Sequence, residues 1–143
     1  MTHVFTSSVL DHPIGVVWAT IRDFNGLPDW NPNVTESHIE NGRASDSVGC
    51  VRNFTLVDGG KLREQLLDFS DLDHSCTYSI LESPMPVKDY IATLRCLPVT
   101  DGARTYVEWV ADFDCPPEEE AGLIEGIGQD VFQASFDALR AKL

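Results

Sequence analysis

Two hydrophobic rhythms divide the chain. His3 to Val9 alternates in the two-residue period of a strand and stops at Asp11-His12-Pro13. Asp11 is placed to cap a following helix, with Pro13 inside its first turn. Ile14, Val17, Trp18 and Ile21 then recur at helical spacing, predicting an amphipathic helix that ends at Arg22. A second, short helical turn is expected over Leu27 to Trp30, broken by Asn31-Pro32-Asn33.

Beyond Val34 the period of two takes over. Val34 to Glu40, Gly49 to Val57, Lys61 to Phe69, Cys76 to Glu82, Lys88 to Leu97 and Arg104 to Asp114 read as strands. Turn signals separate them: Asn41-Gly42, Asp58-Gly59-Gly60, Asp71-Leu72-Asp73, Ser83-Pro84-Met85-Pro86 and Asp101-Gly102. Such connections cannot hold the crossover that parallel strands need, so these strands form an antiparallel meander. Pro116-Pro117 ends the last strand, and Glu118 to Lys142 reads as one long helix, acidic in its first turn and basic at Arg140 and Lys142.

The predicted class is therefore α+β, a curved antiparallel sheet of about seven strands wrapped around a long C-terminal helix, with one or two short helices after the first strand. That helix alone is long enough to cover the sheet, using Leu123, Ile124, Ile127, Val131, Phe132, Ala134, Ala138 and Leu139. Gly126 and Gly128 inside it cost about 1 kcal/mol each relative to alanine. They serve either close packing on the sheet or room for a ligand.

Length and charge narrow the picture. The 143 residues make one domain, 1–143, with a single core. A net charge of -13 repels phosphate backbones and anionic lipid, so no nucleic acid and no membrane is expected as a partner; a homodimer is compatible with the composition. The first residues lack a basic and apolar leader pattern, and no apolar run reaches the roughly 20 residues of a spanning helix, so the expected location is cytoplasmic. Cys50, Cys76, Cys96 and Cys115 show no metal-binding or redox spacing, and His3, His12, His38 and His74 form no ligand set. No nucleotide-binding glycine loop and no Ser-His-Asp spacing occurs. Neither a metal nor a cofactor is expected.

Alternation also sorts the polar residues. Arg52, Phe54 and Leu56 share one face of their strand, and Leu62, Glu64 and Leu66 share one face of the next. With Leu56 paired to Leu62 across Asp58-Gly59-Gly60, Phe54 opposes Glu64, and Arg52 lies diagonal to Glu64 on the inner face. Charges among apolar neighbours are costly unless paired, so the two form an ion pair or bind a polar ligand group. Tyr90 lies on the face of Ala92, Leu94 and Cys96; Tyr78 lies with Cys76 and Ile80, and Trp109 with Val107 and Ala111.

Six pieces of the chain, in order, carry a resemblance to a known superfamily: Val17-Trp18-Ala19-Thr20-Ile21-Arg22-Asp23-Phe24, Pro28-Asp29-Trp30-Asn31-Pro32, Gly49-Cys50-Val51-Arg52, Arg63-Glu64-Gln65-Leu66, Tyr90-Ile91-Ala92-Thr93-Leu94 and Glu108-Trp109. The chain resembles the helix-grip superfamily of START-like and birch-pollen-allergen-like proteins. Within it, the sequence is most similar to the polyketide cyclase/dehydrase family and to lachrymatory-factor-synthase-like proteins. The resemblance implies an internal cavity for a small hydrophobic or amphipathic molecule. It implies walls that include Phe54, Leu66, Tyr78, Trp109, Ile127 and Val131, with Trp30 a candidate to close the mouth. In the lachrymatory-factor-synthase-like proteins an arginine and a glutamate matching Arg52 and Glu64 transfer protons. Carried over, Arg52 holds an oxyanion, Glu64 shuttles a proton and Tyr90 donates to the ligand, in a cofactor-free isomerase, cyclase or dehydratase. The alternatives are a non-catalytic carrier or sensor of a hydrophobic metabolite and, more remotely, a protein-interaction module. A polar or anionic group of the ligand is expected near Arg52. Asn31 stands where many bacterial relatives carry a histidine, so no role of that histidine transfers.

Overall fold

The computed structural model of the protein describes residues Met1–Leu143. Seven strands build one antiparallel sheet: β1 (Thr2–Leu10), β2 (Val34–Ile39), β3 (Val51–Leu56), β4 (Lys61–Ser70), β5 (Ser75–Glu82), β6 (Lys88–Val99) and β7 (Arg104–Asp114). Their spatial order is β1-β7-β6-β5-β4-β3-β2, so the later six run as a meander and β1 closes on the far side of β7. The turns are made by the residues that tolerate them. Asn41 and Gly42, after β2, are both left-handed, with φ of 60° and 64°.

The β3–β4 turn is tighter than the sequence suggests. The Leu56 N–H donates to the Gly60 carbonyl at 2.7 Å, and Asp58 Oδ1 accepts the Gly60 N–H at 2.8 Å. Gly59 takes up the left-handed conformation, at φ 91°. The turn therefore closes across Leu56 and Gly60, and the register becomes Thr55↔Lys61, Phe54↔Leu62 and Arg52↔Glu64. The expected Leu56–Leu62 pairing is wrong by two residues, and Arg52 and Glu64 face each other directly. Register shifts in the β4–β5 pairing between Arg63 and Glu64 and between Leu66 and Asp68 bracket this part of β4. Such bulges bend a sheet and re-aim its side chains.

Helix α1 (Ile14–Ile21) starts later than expected. Pro13 is its extended cap residue, at ψ 150°, and its carbonyl accepts the N–H groups of Val16 and Val17. Asp11 lies two residues outside and provides no side-chain cap. Val17, Trp18 and Ile21 are buried, as their spacing predicts. Trp18 Nε1 donates to Asp71 at 2.8 Å, and the Arg22 guanidinium grips the same carboxylate at 2.9 Å, fastening α1 to the β4–β5 turn. A 3-10 turn at Leu27–Asp29 follows.

The C-terminal helix is continuous but not uniform. After a 3-10 turn at Pro117–Glu119 come α2 (Glu120–Glu125), a π-helical stretch (Gly126–Gln133) and α3 (Ala134–Lys142). The widened stretch begins at the glycines. Thr6 Oγ1 of β1 donates to the Gly128 carbonyl at 3.3 Å, and a Cβ on Gly128 would sit 3.6 Å from Val4 and Thr6. Gly128 thus marks where helix and sheet approach closely, while a Cβ on Gly126 would meet nothing within 4 Å. Ile127, Phe132, Phe136 and Leu139 enter a core shared with the inner faces of the strands. The four cysteines are free. No helix is long and apolar enough to cross a membrane.

Candidate functional site

At the centre of the inner face Arg52 and Glu64 are each 5 % exposed. Arg52 Nε donates to Glu64 Oε1 at 2.8 Å, and a terminal guanidinium nitrogen reaches the same oxygen at 2.7 Å. The remaining terminal nitrogen donates to the Phe24 carbonyl at 3.0 Å. The Phe24 ring also packs on the guanidinium, its centre 3.9 Å from the guanidinium carbon, with the Tyr78 ring at 4.8 Å and Phe54 at 5.7 Å. Arg52 is thus satisfied at its edge and covered by aromatic rings. Glu64 is not. Its Oε2 accepts no hydrogen bond from the protein, yet is not among the sealed, unpartnered polar atoms. Burial pushes the Glu64 carboxyl above the usual range, against the opposing pull of Arg52.

Oε2 faces a cavity of about 430 Å³ between the sheet and the C-terminal helix. Of its 19 lining residues 13 are hydrophobic, so apolar contact dominates the walls. The volume lies toward the small end of ligand pockets, which run from about 300 to 1,000 Å³. Trp109 stacks on Phe132 at 4.3 Å between ring centres, tying β7 to the π-helical stretch. Its indole Nε1 donates to the Tyr78 hydroxyl at 3.1 Å. The Tyr78 and Tyr90 rings lie 6.5 Å apart, and burial raises the pKa of both hydroxyls, which keeps them protonated donors. The Tyr90 hydroxyl is paired with the neighbouring Tyr78 hydroxyl and is not sealed, so its own O–H is open to the cavity.

Of the residues singled out in the sequence, Arg52, Glu64, Tyr90, Phe54, Tyr78, Trp109, Ile127 and Val131 line this cavity together. Leu66 and Trp30 do not. Leu66 points inward but is fully buried opposite Tyr78, behind the lining. Trp30 closes no mouth, because it is 4 % exposed and packed on Trp109 at 5.8 Å, with its Nε1 the one sealed polar side-chain atom lacking a partner.

The mouth is built by residues outside the inward faces that alternation picks out. Asn33, Val57, Asp58 and Pro84, all exposed, come from the loops after the Leu27–Asp29 turn, after β3 and after β5. Asn33 joins these parts: its side-chain nitrogen donates to the Asp130 carbonyl at 2.9 Å, and its own carbonyl accepts the Val57 N–H at 2.9 Å. Inside, Asn31 is 6 % exposed, and its Oδ1 accepts the Asn33 N–H at 3.0 Å. The Asn31 amide nitrogen remains free toward the cavity. The sequence marks this residue by its place in the helix-breaking Asn31-Pro32-Asn33 and as the position where many relatives carry a histidine, neither of which points to a donor in the cavity.

This architecture is the helix-grip α+β fold, a seven-stranded antiparallel sheet closed by a C-terminal helix. The chain belongs to the family described as polyketide cyclase / dehydrase and lipid transport, whose model matches residues 1–143. It is similar to the protein XoxI of Bacillus cereus, at 30% identity and a TM-score of 0.87 over 99% of this chain and 94% of that one. An uncharacterised protein of Bacillus thuringiensis matches at 32% identity and 0.83, covering 98% and 97% of the two chains. A Thermobifida fusca protein matches at 28% identity and 0.87, covering 98% and 91%. No curated protein matches the sequence. Family membership implies hydrophobic ligand binding or polyketide-cyclase-type activity. The finer likeness to lachrymatory-factor-synthase-like proteins gains no support from these matches.

Proposed function

We propose that the protein binds a small, mainly apolar molecule in the 430 Å³ cavity and that Glu64 exchanges a proton with it, without a cofactor. The observation that carries this reading is the free Glu64 Oε2, a carboxylate oxygen held at the wall of an apolar pocket by a pair in which Arg52 uses only the other oxygen. A carboxylate whose pKa is raised by burial is a better general base than one in water. In the reaction class that fits, Oε2 takes a proton from carbon next to a carbonyl. The electron pair moves onto the carbonyl oxygen, where a tyrosine hydroxyl donates a hydrogen bond, and the proton returns at another carbon. Isomerisation by this route needs no co-reactant. Tyr90 is the donor we assign. Arg52 acts as a positioning residue for Glu64 rather than as an oxyanion holder, since all three of its nitrogens are engaged.

The same engagement of Arg52 favours a second reading, a non-catalytic carrier in which the ion pair only completes the pocket. Native mass spectrometry of the purified protein should reveal a retained small molecule. Released into D2O with fresh protein, that molecule should take up deuterium at carbon with wild type and not with Glu64→Gln, although both bind it. Equal exchange by Glu64→Gln removes Glu64 from the chemistry. Binding without exchange by wild type leaves the carrier.

A further inference from the structure

Resting on the reading that this cavity binds a small molecule, we propose that it selects an uncharged ligand bearing a hydrogen-bond acceptor such as a ketone, and turns away carboxylates and ammonium ions of the same size. The first ground is charge. Arg52 is the only basic residue of the lining, and its charge is already matched by Glu64 at 2.7 Å. Three of its N–H groups go to Glu64 and the Phe24 carbonyl, and the Phe24 and Tyr78 rings pack on it at 3.9 and 4.8 Å. An incoming carboxylate meets a guanidinium whose charge Glu64 already balances and three of whose five N–H groups are taken. It would lie beside Glu64 and pass Asp58 at the mouth. Burying such a charge without a partner is costly. An ammonium ion could donate to the free Glu64 Oε2, but Arg52 already balances that carboxylate's charge, so the added cation is buried without neutralisation.

The second ground is the balance of free hydrogen-bonding atoms. Tyr78 accepts the Trp109 indole N–H through its oxygen, at 3.1 Å, which directs its own O–H away from Trp109. Donation into the hydroxyl oxygen also strengthens the bond that the hydroxyl can give. Asn31 spends its Oδ1 on the Asn33 N–H and keeps its amide N–H groups for the cavity. Trp109 donates to Tyr78 and Tyr78 to Tyr90, so the Tyr90 hydroxyl and the Asn31 amide are the donors offered to one apolar space whose free acceptor is Glu64 Oε2. A lone carbonyl oxygen satisfies those donors and brings no charge. Specificity of this kind comes from polar groups that would otherwise be left unpaired.

Four naphthalenes of nearly equal size separate the possibilities at pH 8: 2-acetylnaphthalene, 2-naphthoate, 2-(aminomethyl)naphthalene as its ammonium ion, and 2-ethylnaphthalene. Calorimetric titration of the full chain should rank the ketone first, about tenfold or more tighter than naphthoate and the ammonium ion. It should also bind a few-fold, roughly five- to tenfold, tighter than the ethyl compound, and Tyr90→Phe should erase most of that margin. The charge ranking is read on wild-type protein, so it stands even if a variant folds poorly. Naphthoate or the ammonium ion binding as tightly as the ketone overturns the proposal while leaving the binding cavity intact. If none of the four binds, the binding reading itself falls, and this inference with it.

Discussion

Arg63 and Glu64 are consecutive residues of β4, and each belongs to an arginine–glutamate pair, but they point to opposite faces of the sheet. On the outer face Arg63 grips both oxygens of Glu40, at 2.7 and 2.8 Å, and also touches Glu82 at 3.2 Å. Asn53 of β3 adds a hydrogen bond to Glu40 at 3.1 Å, so the cluster ties the residue following β2 to β3 and β4. On the inner face Arg52 reaches only one oxygen of Glu64. Side-chain exposure is 31% and 21% for the outer pair, against 6% for each partner of the inner one. The carboxyls respond in opposite directions. Hydrogen bonding to Arg63 holds Glu40 down at about 2, whereas burial pushes Glu64 up despite its arginine. An arginine partner does not by itself fix a carboxyl's acidity; the competition between that partner and the surrounding solvent does. The outer pair fastens an edge, and the inner one holds a carboxylate oxygen in reserve.

The comparison breaks most visibly by removing the arginines' partners or the arginines themselves. Arg52→Met should destabilise the protein by about 3–5 kcal/mol, because it strands Glu64 in an apolar wall. Arg52→Met combined with Glu64→Leu should recover most of that loss, since an apolar pair of similar volume fits the same place. Urea unfolding measures both; a single substitution as mild as the double one means that Glu64 is not stranded. A smaller loss is expected at the surface. Glu40→Gln should cost about 0.5–1 kcal/mol. That loss should shrink in high salt, which screens exposed charges, while the Arg52→Met loss should not. Equal salt sensitivity at the two sites would erase the distinction.

These two faces were legible in the sequence even though the register was not. Pairing Leu56 with Leu62 misplaced β4 by two residues, an even number, and a side-chain period of two leaves every residue on its proper face. Arg52 and Glu64 therefore emerged as inward neighbours from a mistaken alignment. A slip of one residue would have sent Glu64 outward. What alternation could not supply was anything contributed by backbone or loop. The Phe24 carbonyl that occupies Arg52 has no sequence signal, and Asn33, Asp58 and Pro84 at the mouth belong to no periodic segment. Helical spacing placed Ile127 and Val131 on the sheet-covering side, and the resemblance put them in the walls, but neither could reveal the π-helical turns that carry them. Trp30, a candidate for the mouth, instead packs in the core against Trp109, a contact that neither periodicity nor spacing signals.

The finest test is a slope rather than a level. Glu40 has a folded pKa of about 2, below its unfolded value, so the unfolded chain binds the proton first as pH falls. Its contribution is present above the unfolded carboxylate value of about 4.3 and is lost as pH drops toward 2. Asp71, held at about 2 chiefly by its hydrogen bond to Arg22, acts in the same sense. Glu64 acts in the opposite sense. Its folded pKa lies above the unfolded value, so the native state keeps a proton that the unfolded chain releases. Its contribution is complete below about 4.3 and declines as pH rises through the folded pKa. Urea midpoints of wild type, Glu40→Gln and Glu64→Gln across this range separate the two. Relative to wild type, Glu40→Gln should lose stability less steeply on the acid side. Glu64→Gln should remove a decline on the side above the unfolded carboxylate value. A Glu64→Gln profile parallel to wild type there would mean that Arg52 at least cancels burial, and the interior carboxyl would then be no better a base than a carboxylate in water.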